Sequence, residues 1–238
     1  IINEIARNSE IRTIFVNKAG ATLTLESGTI AVNNLGQYAS DAATVDGVAV
    51  AKYASCSARV IHQAAGTTVN INGGRVEAHG TRSVYGIVQA SSVATNKAGT
   101  TVLNITGGEI YAEAPYGAYG LQGYGKVNFS GGNINVKANT NMVDARYAAD
   151  NANNKYNGLI YGIWISASAN ATATNCYYGT LNMTGGNINV TNERVYAVDR
   201  KSYGVLIDCS NANMGANTAV DGSKCQKAAA KGSINGGT

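Results

Sequence analysis

Leu103-Asn104-Ile105-Thr106-Gly107-Gly108-Glu109-Ile110-Tyr111-Ala112 returns 24 residues later as Val127-Asn128-Phe129-Ser130-Gly131-Gly132-Asn133-Ile134-Asn135-Val136, and this return decides the fold. Apolar and polar residues alternate in each copy, which is the period of a half-buried strand. A glycine pair then interrupts, supplying a corner where φ turns positive. Alternation resumes beyond it, so each unit reads strand, corner, strand.

The pattern extends in both directions. Leu23-Thr24-Leu25-Glu26-Ser27-Gly28, Val69-Asn70-Ile71-Asn72-Gly73-Gly74, Leu181-Asn182-Met183-Thr184-Gly185-Gly186 and Ser233-Ile234-Asn235-Gly236-Gly237 repeat the first half. The strands after the corners carry one inward column, Ile30, Val76, Ile110, Ile134 and Ile188. Equivalent side chains piled at the strand spacing of ~4.8 Å fill a core without voids. A third strand opens with Tyr85-Gly86-Ile87, Tyr119-Gly120-Leu121, Tyr161-Gly162-Ile163 and Tyr203-Gly204-Val205, with Asp46-Gly47-Val48 expected in that slot of the first repeat. Three short strands and three turns per repeat describe an all-β parallel β-helix (β-solenoid) of about five three-sheeted coils. Parallel crossovers favour the right hand. A sandwich of hairpins would not repeat one motif in phase.

Corner glycines fall at 28, 74, 108, 132, 186 and 237, so repeats run 46, 34, 24, 54 and 51 residues. The shortest is a bare coil, and the longer ones carry sideways loops, which solenoids accept. One domain is expected over residues 1–238: a cap or partial coil at 1–22, insertions at 137–158 and 208–231, and an unfinished coil at 232–238.

Composition narrows the class. Charged residues make up 13% and hydrophobic ones 45%, with 29 Gly and one Pro, which excludes a disordered chain and a collagen. The net charge of +4 is spread thinly; the nearest basic cluster, Arg194, Arg200 and Lys201, lacks the concentrated face of a nucleic-acid binder. No apolar run approaches the ~20 residues of a membrane helix. The chain shows no leader and begins with Ile1, so a removed leader or a piece of a longer protein is expected.

Cys56, Cys176, Cys209 and Cys225 form no CxxC pair, and two histidines do not make a structural zinc site. An even cysteine count in Asn- and Gly-rich stretches suits an oxidising, extracellular location. Cys209 and Cys225 share one insertion with fifteen residues between them; a bridge closing a loop of that size stabilises by ~3 kcal/mol. Cys56 and Cys176 lie in corresponding loops three coils apart, and meet only if those loops lean together to within ~7 Å.

Gly-Gly-x-Ile-x-Val or Ala, followed by Tyr-Gly-Ile, resembles the passenger repeats of bacterial autotransporter adhesins and related β-helical surface proteins. The resemblance runs from about Leu23 to the end. It implies export to the cell exterior and a role in attachment or surface coating. It does not extend to the C-terminal membrane barrel of those proteins.

Outward columns offer candidate sites. Thr24, Asn70, Asn104, Asn128 and Asn182, then Glu26, Asn72, Thr106, Ser130 and Thr184, read as polar ladders too irregular for an ice-binding array. Asn104, Asn128, Asn170 and Asn182 open Asn-x-Ser/Thr sequons, candidate glycosylation sites in a host able to use them. Tyr85, Tyr119, Tyr161 and Tyr203 read as a structural tyrosine ladder, with a carbohydrate platform as the rival. Val88, Trp164 and Leu206 form an outward apolar column, covered by a loop or serving a subunit or partner interface. Catalysis would draw on Glu77 with Arg75, Glu109 and Glu113, but these read as isolated, because Ala31, Tyr111 and Asn135 take the place of Glu77 in other coils.

The expected function is therefore a non-enzymatic extracellular structural or adhesive protein without cofactor or metal. Its expected partners are itself or other surface components, with glycan next and no nucleic acid. The unfinished coil suggests head-to-tail contact with Ile1, Ile2 and Ile5 of a following subunit, a geometry that builds filaments. A carbohydrate-binding or polysaccharide-degrading β-helix is the alternative.

Overall fold

A computed structural model describes residues 2–4, 11–34, 44–45, 48–49, 57–80, 83–89, 101–114, 117–138, 160–169, 176–193, 202–208 and 231–238. These residues form three parallel sheets wound as a β-helix. The first-strand sheet stacks Thr22–Leu25, Thr68–Ile71, Val102–Ile105, Lys126–Phe129, Thr180–Met183 and Lys231–Ile234 in that order. The second-strand sheet runs Ile2–Glu4, Thr29–Asn34, Arg75–Gly80, Glu109–Glu113, Asn133–Ala138 and Asn187–Asn192. Ile11–Val16, Ser57–Gln63, Ser83–Gln89, Gly117–Gly123, Ile160–Ala169 and Ser202–Asp208 make the third.

Register follows the repeat. Ile30, Val76, Ile110, Ile134 and Ile188 pair in one row across the second-strand sheet. Leu25, Ile71, Ile105, Phe129 and Met183 do the same across the first. Middle coils are sealed: Val76, Ile110, Ile134, Ile105 and Phe129 are buried against one continuous apolar interior. The stacked-column expectation is met.

Two glycine positions explain why the motif is fixed. Gly74, Gly108, Gly132 and Gly186 hold φ between 72° and 90°, a region costly for any side chain. Gly86 and Gly120, in the Tyr-Gly-aliphatic strand, face inward. A Cβ on either would lie 2.5 Å from the Cγ2 of Ile110 or Ile134. The aliphatic residue that follows, Ile87 or Leu121, is also in the core. Two consecutive positions therefore reach the core, and only a missing side chain makes room for the first.

Three expectations need correction. The first coil's third strand is not Asp46-Gly47-Val48 but Ser57–Gln63, in which Arg59 and Ile61 pair with Tyr85 and Ile87. Thr44–Val45 and Val48–Ala49 instead pair antiparallel on either side of Asp46-Gly47, a dipeptide favoured between hairpin strands. The insertion expected from residue 137 begins later, because the strand Asn133–Ala138 extends through Lys137 and buries Ala138 in the core. Likewise Asp208 and Lys231, assigned to the second insertion, end and begin strands. The N-terminal stretch is a partial coil, contributing Ile2–Glu4 and Ile11–Val16 to two sheets.

Candidate functional site

The outer face of the second-strand sheet changes character halfway along the stack. Alternation sends residues 29, 31 and 33 outward in the first coil, and their register partners follow in each later coil. The rows read Thr29, Ala31, Asn33; then Arg75, Glu77, His79; then Glu109, Tyr111, Glu113; then Asn133, Asn135, Lys137. Side chains two apart on a strand and one strand away are close neighbours, so two adjacent rows bring six chemistry-bearing groups together.

Arg75 is the hub. Its Nε donates to Glu77 Oε2 at 3.0 Å and its Nη1 to Glu109 Oε2 at 2.6 Å. Its guanidinium also lies 4.9 Å from the centre of the Tyr111 ring. His79 Nε2 sits 2.6 Å from Glu77 Oε1, and its Nδ1 3.4 Å from Glu113 Oε2. The Tyr111 hydroxyl donates to Glu113 at 2.9 Å. Asn135 Nδ2 donates to the free oxygen of Glu109 at 2.7 Å, joining the cluster to the asparagine ladder of the next coil. Lys137 and Glu193 pair at 3.0 Å beyond it.

The electrostatics follow from this wiring. The bond from His79 and the charge of Arg75 hold the Glu77 carboxyl below its ordinary range, against partial burial. Burial and the bond to Glu113 push the Tyr111 phenol up to about 12. Glu77 is thus a fixed acceptor and Tyr111 a fixed donor. A general acid or base works best with a pKa near the operating pH, and both groups have been moved away from neutrality.

Glu77, Glu109 and Glu113 with Arg75 are therefore not isolated, contrary to the sequence reading. Following one column at a time hid the neighbours, which belong to adjacent columns. His79 and Tyr111 were not assigned to this cluster, although each stands two residues from a named glutamate and so on the same face. Among the described residues no group of three or more His, Cys, Asp or Glu side chains has the arrangement of a metal site.

The polar ladders of the first-strand sheet are hydrogen-bonded. Asn128 Nδ2 donates to Asn104 Oδ1 and Asn104 Nδ2 to Asn70 Oδ1, both at 2.8 Å. Asn70 continues to Thr24 at 3.2 Å. In the adjacent column Asn72 donates to Glu26 and accepts from Thr106, both at 3.0 Å. The sequon nitrogens of Asn104 and Asn128 are thus ladder donors. Asn182 sits in the same column with its side chain exposed, and Asn170 lies outside the described residues.

On the third-strand sheet Tyr85 and Tyr119 stack at 4.4 Å with planes 8° apart, and Tyr161 and Tyr203 at 5.6 Å and 21°. Tyr119 and Tyr161 are 39° apart, so the ladder is kinked midway. Both are buried, at 9% and 4% exposure. Tyr85 and Tyr203 are half-buried. The column of Val88 reads Phe15, His62, Val88, Gln122, Trp164, Leu206 in register. It is apolar only in part. Val88 is buried, Phe15 is exposed, and Trp164 packs 5.4 Å from Tyr161 with its Nε1 buried and unbonded among the described residues.

Cys56, Cys209, Cys225, Ile1 and Ile5 lie outside the described residues. Cys176 and Ile2 are placed as strand backbone only, Cys176 opposite Ala169 and Ile2 beside Val32. Among the described residues no helix is long and apolar enough to cross a membrane.

No family model, no curated protein and no solved structure matches this chain. The likeness to adhesin passengers rests on the repeat alone.

Proposed function

We propose that this protein is a non-enzymatic structural or adhesive component of a cell surface or extracellular space, in which stacked coils form a stiff scaffold faced with polar ladders. The observation that carries this reading is the engagement of the titratable cluster around Arg75. Each of its carboxylates is tied to a neighbouring coil or strand partner: Glu77 to Arg75 and His79, Glu109 to Arg75 and Asn135, Glu113 to Tyr111. The two bonds to Glu109, from Arg75 of the preceding coil and Asn135 of the following one, clamp coils to each other, and the others fix side chains along one strand. The Thr24, Asn70, Asn104 and Asn128 ladder on the flanking face also clamps coils, without charge.

The reading extends to end-to-end contact. In the last coil Ile188, Val190 and Val205 are only partly buried and Ile234 is 57% exposed. A further coil, of this polypeptide or of a second copy, would pair those edge strands and cover those side chains.

A panel of polysaccharides tests the proposal. Purified protein incubated with each should release no new reducing or unsaturated ends; turnover abolished by Glu109→Gln would refute the reading in favour of the carbohydrate-active alternative. Sedimentation and electron microscopy over a range of concentrations address assembly, with monomers at every concentration counting against it. Antibody labelling of intact source cells addresses location.

A further inference from the structure

The tetrapeptide Ile-Asn-Gly-Gly occurs twice, as Ile71-Asn72-Gly73-Gly74 and Ile234-Asn235-Gly236-Gly237. Asparagine before glycine is chemically labile. The glycine nitrogen attacks the asparagine Cγ, the side-chain nitrogen leaves as ammonia, and a succinimide closes. Water then opens the ring at either carbonyl, giving aspartate or isoaspartate. Attack needs a free nitrogen and a side chain able to swing onto it, and glycine imposes no Cβ barrier to the required backbone turn.

The fold gives these two identical sequences opposite surroundings. At the first corner Asn72 Nδ2 donates to Glu26 Oε1 at 3.0 Å and its Oδ1 accepts from Thr106 at 3.0 Å. The attacking nitrogen is occupied as well, since Gly73 N–H donates to Leu25 O at 3.2 Å. The carboxylate of Glu26 further disfavours the amide anion that attacks. At the last corner the Asn235 backbone N–H donates to Met183 O at 2.8 Å, but among the described residues its side chain bonds only to Ser233 Oγ, two residues back, at 2.9 Å. Among the described residues Gly236 N donates to no backbone carbonyl, and Asn235 is exposed.

We propose that Asn235–Gly236 is a spontaneous modification site of the folded chain wherever no further coil covers the last one, and that the side-chain ladder protects the same sequence at Asn72–Gly73. Three bonds must break before Asn72 reacts and one before Asn235 does, which slows position 72 by at least about tenfold relative to 235. The product places a new carboxylate at the end of the Glu26, Asn72, Thr106, Ser130, Thr184 column.

Mass spectrometry of peptides from protein held at mildly alkaline pH reads both sites in one sample. Native protein should convert at 235 and stay intact at 72. Protein kept in denaturant should convert at both with similar rates, because the local sequences match. Removing the clamp with Glu26→Ala and Thr106→Val should raise the native rate at 72, with circular dichroism confirming the fold. Equal native rates, or a native Asn235 that stays intact while the unfolded chain converts, would overturn the proposal.

Discussion

Gly120→Ala tests the in-phase stack most directly. A methyl at this position would sit 2.5 Å from Ile134 Cγ2 and 2.6 Å from the carbonyl oxygen of Gly162. Both are about 1 Å inside favourable contact distance. Ile134 has nowhere to retreat, being fully buried between Ile110 and Ile188 in its column. The Gly162 carbonyl is backbone of the next coil and moves only if a strand moves. Overpacking of this kind costs about 1–3 kcal/mol, and the backbone collision places this case near 3. Gly204 is the internal control. It occupies the same slot of the same Tyr-Gly-aliphatic motif, yet an added Cβ there meets nothing within 4 Å. Gly204→Ala makes the same chemical change and the same change to the unfolded chain, so its effect should stay within about 0.5 kcal/mol. Urea titrations of both variants, compared at unchanged slope, measure the difference. Equal shifts of the two midpoints would refute in-phase stacking as the reason for the glycine.

The charged cluster, the buried amides and the core each make a further prediction. Arg75→Met should cost about 1 kcal/mol near neutral pH, and less in acid, where protonated carboxylates no longer need the cation. Glu77 has a folded pKa below its unfolded value. Its contribution is therefore complete above about pH 4.3 and disappears as the pH falls through the folded value; Glu77→Gln should flatten that acid loss in pH-dependent unfolding curves. Gln89 is fully buried, accepts from Gly125 N at 2.9 Å and donates to Gln63, whose own amide reaches Thr67 and Val102 carbonyls. Gln89→Leu should cost about 1–3 kcal/mol through the stranded Gly125 N–H, with faster hydrogen exchange at that amide by NMR. Phe129→Ala, which empties the largest fully buried side chain among the described residues, should cost about 3–5 kcal/mol by urea denaturation.

The face of the candidate site shows where reading from sequence stops. Arg75 and Glu77 are recognisable neighbours on one strand, two residues apart. Arg75 and Glu109 are 34 residues apart and touch only because a whole coil returns between them. Columns were legible, since each position recurs in its own repeat. Contacts between columns were not, because they require every strand's register at once. The same limit hid Gln63 and Gln89. Each is the polar last residue of its strand, and only the wound coil shows that both amides turn inward to bond corner backbone.

The amino-acid sequence by itself determined the architecture: period-two alternation chose strands, paired glycines set the corners, and aliphatic residues at fixed offsets required vertical rows. Those are local rules, and local chemistry enforces them one coil at a time. Tertiary structure alone decided which strand fills the third slot of the first coil and how six side chains from two coils share charge. Repeats of 24 to 54 residues leave open which residues land side by side until the backbone has wound and paired.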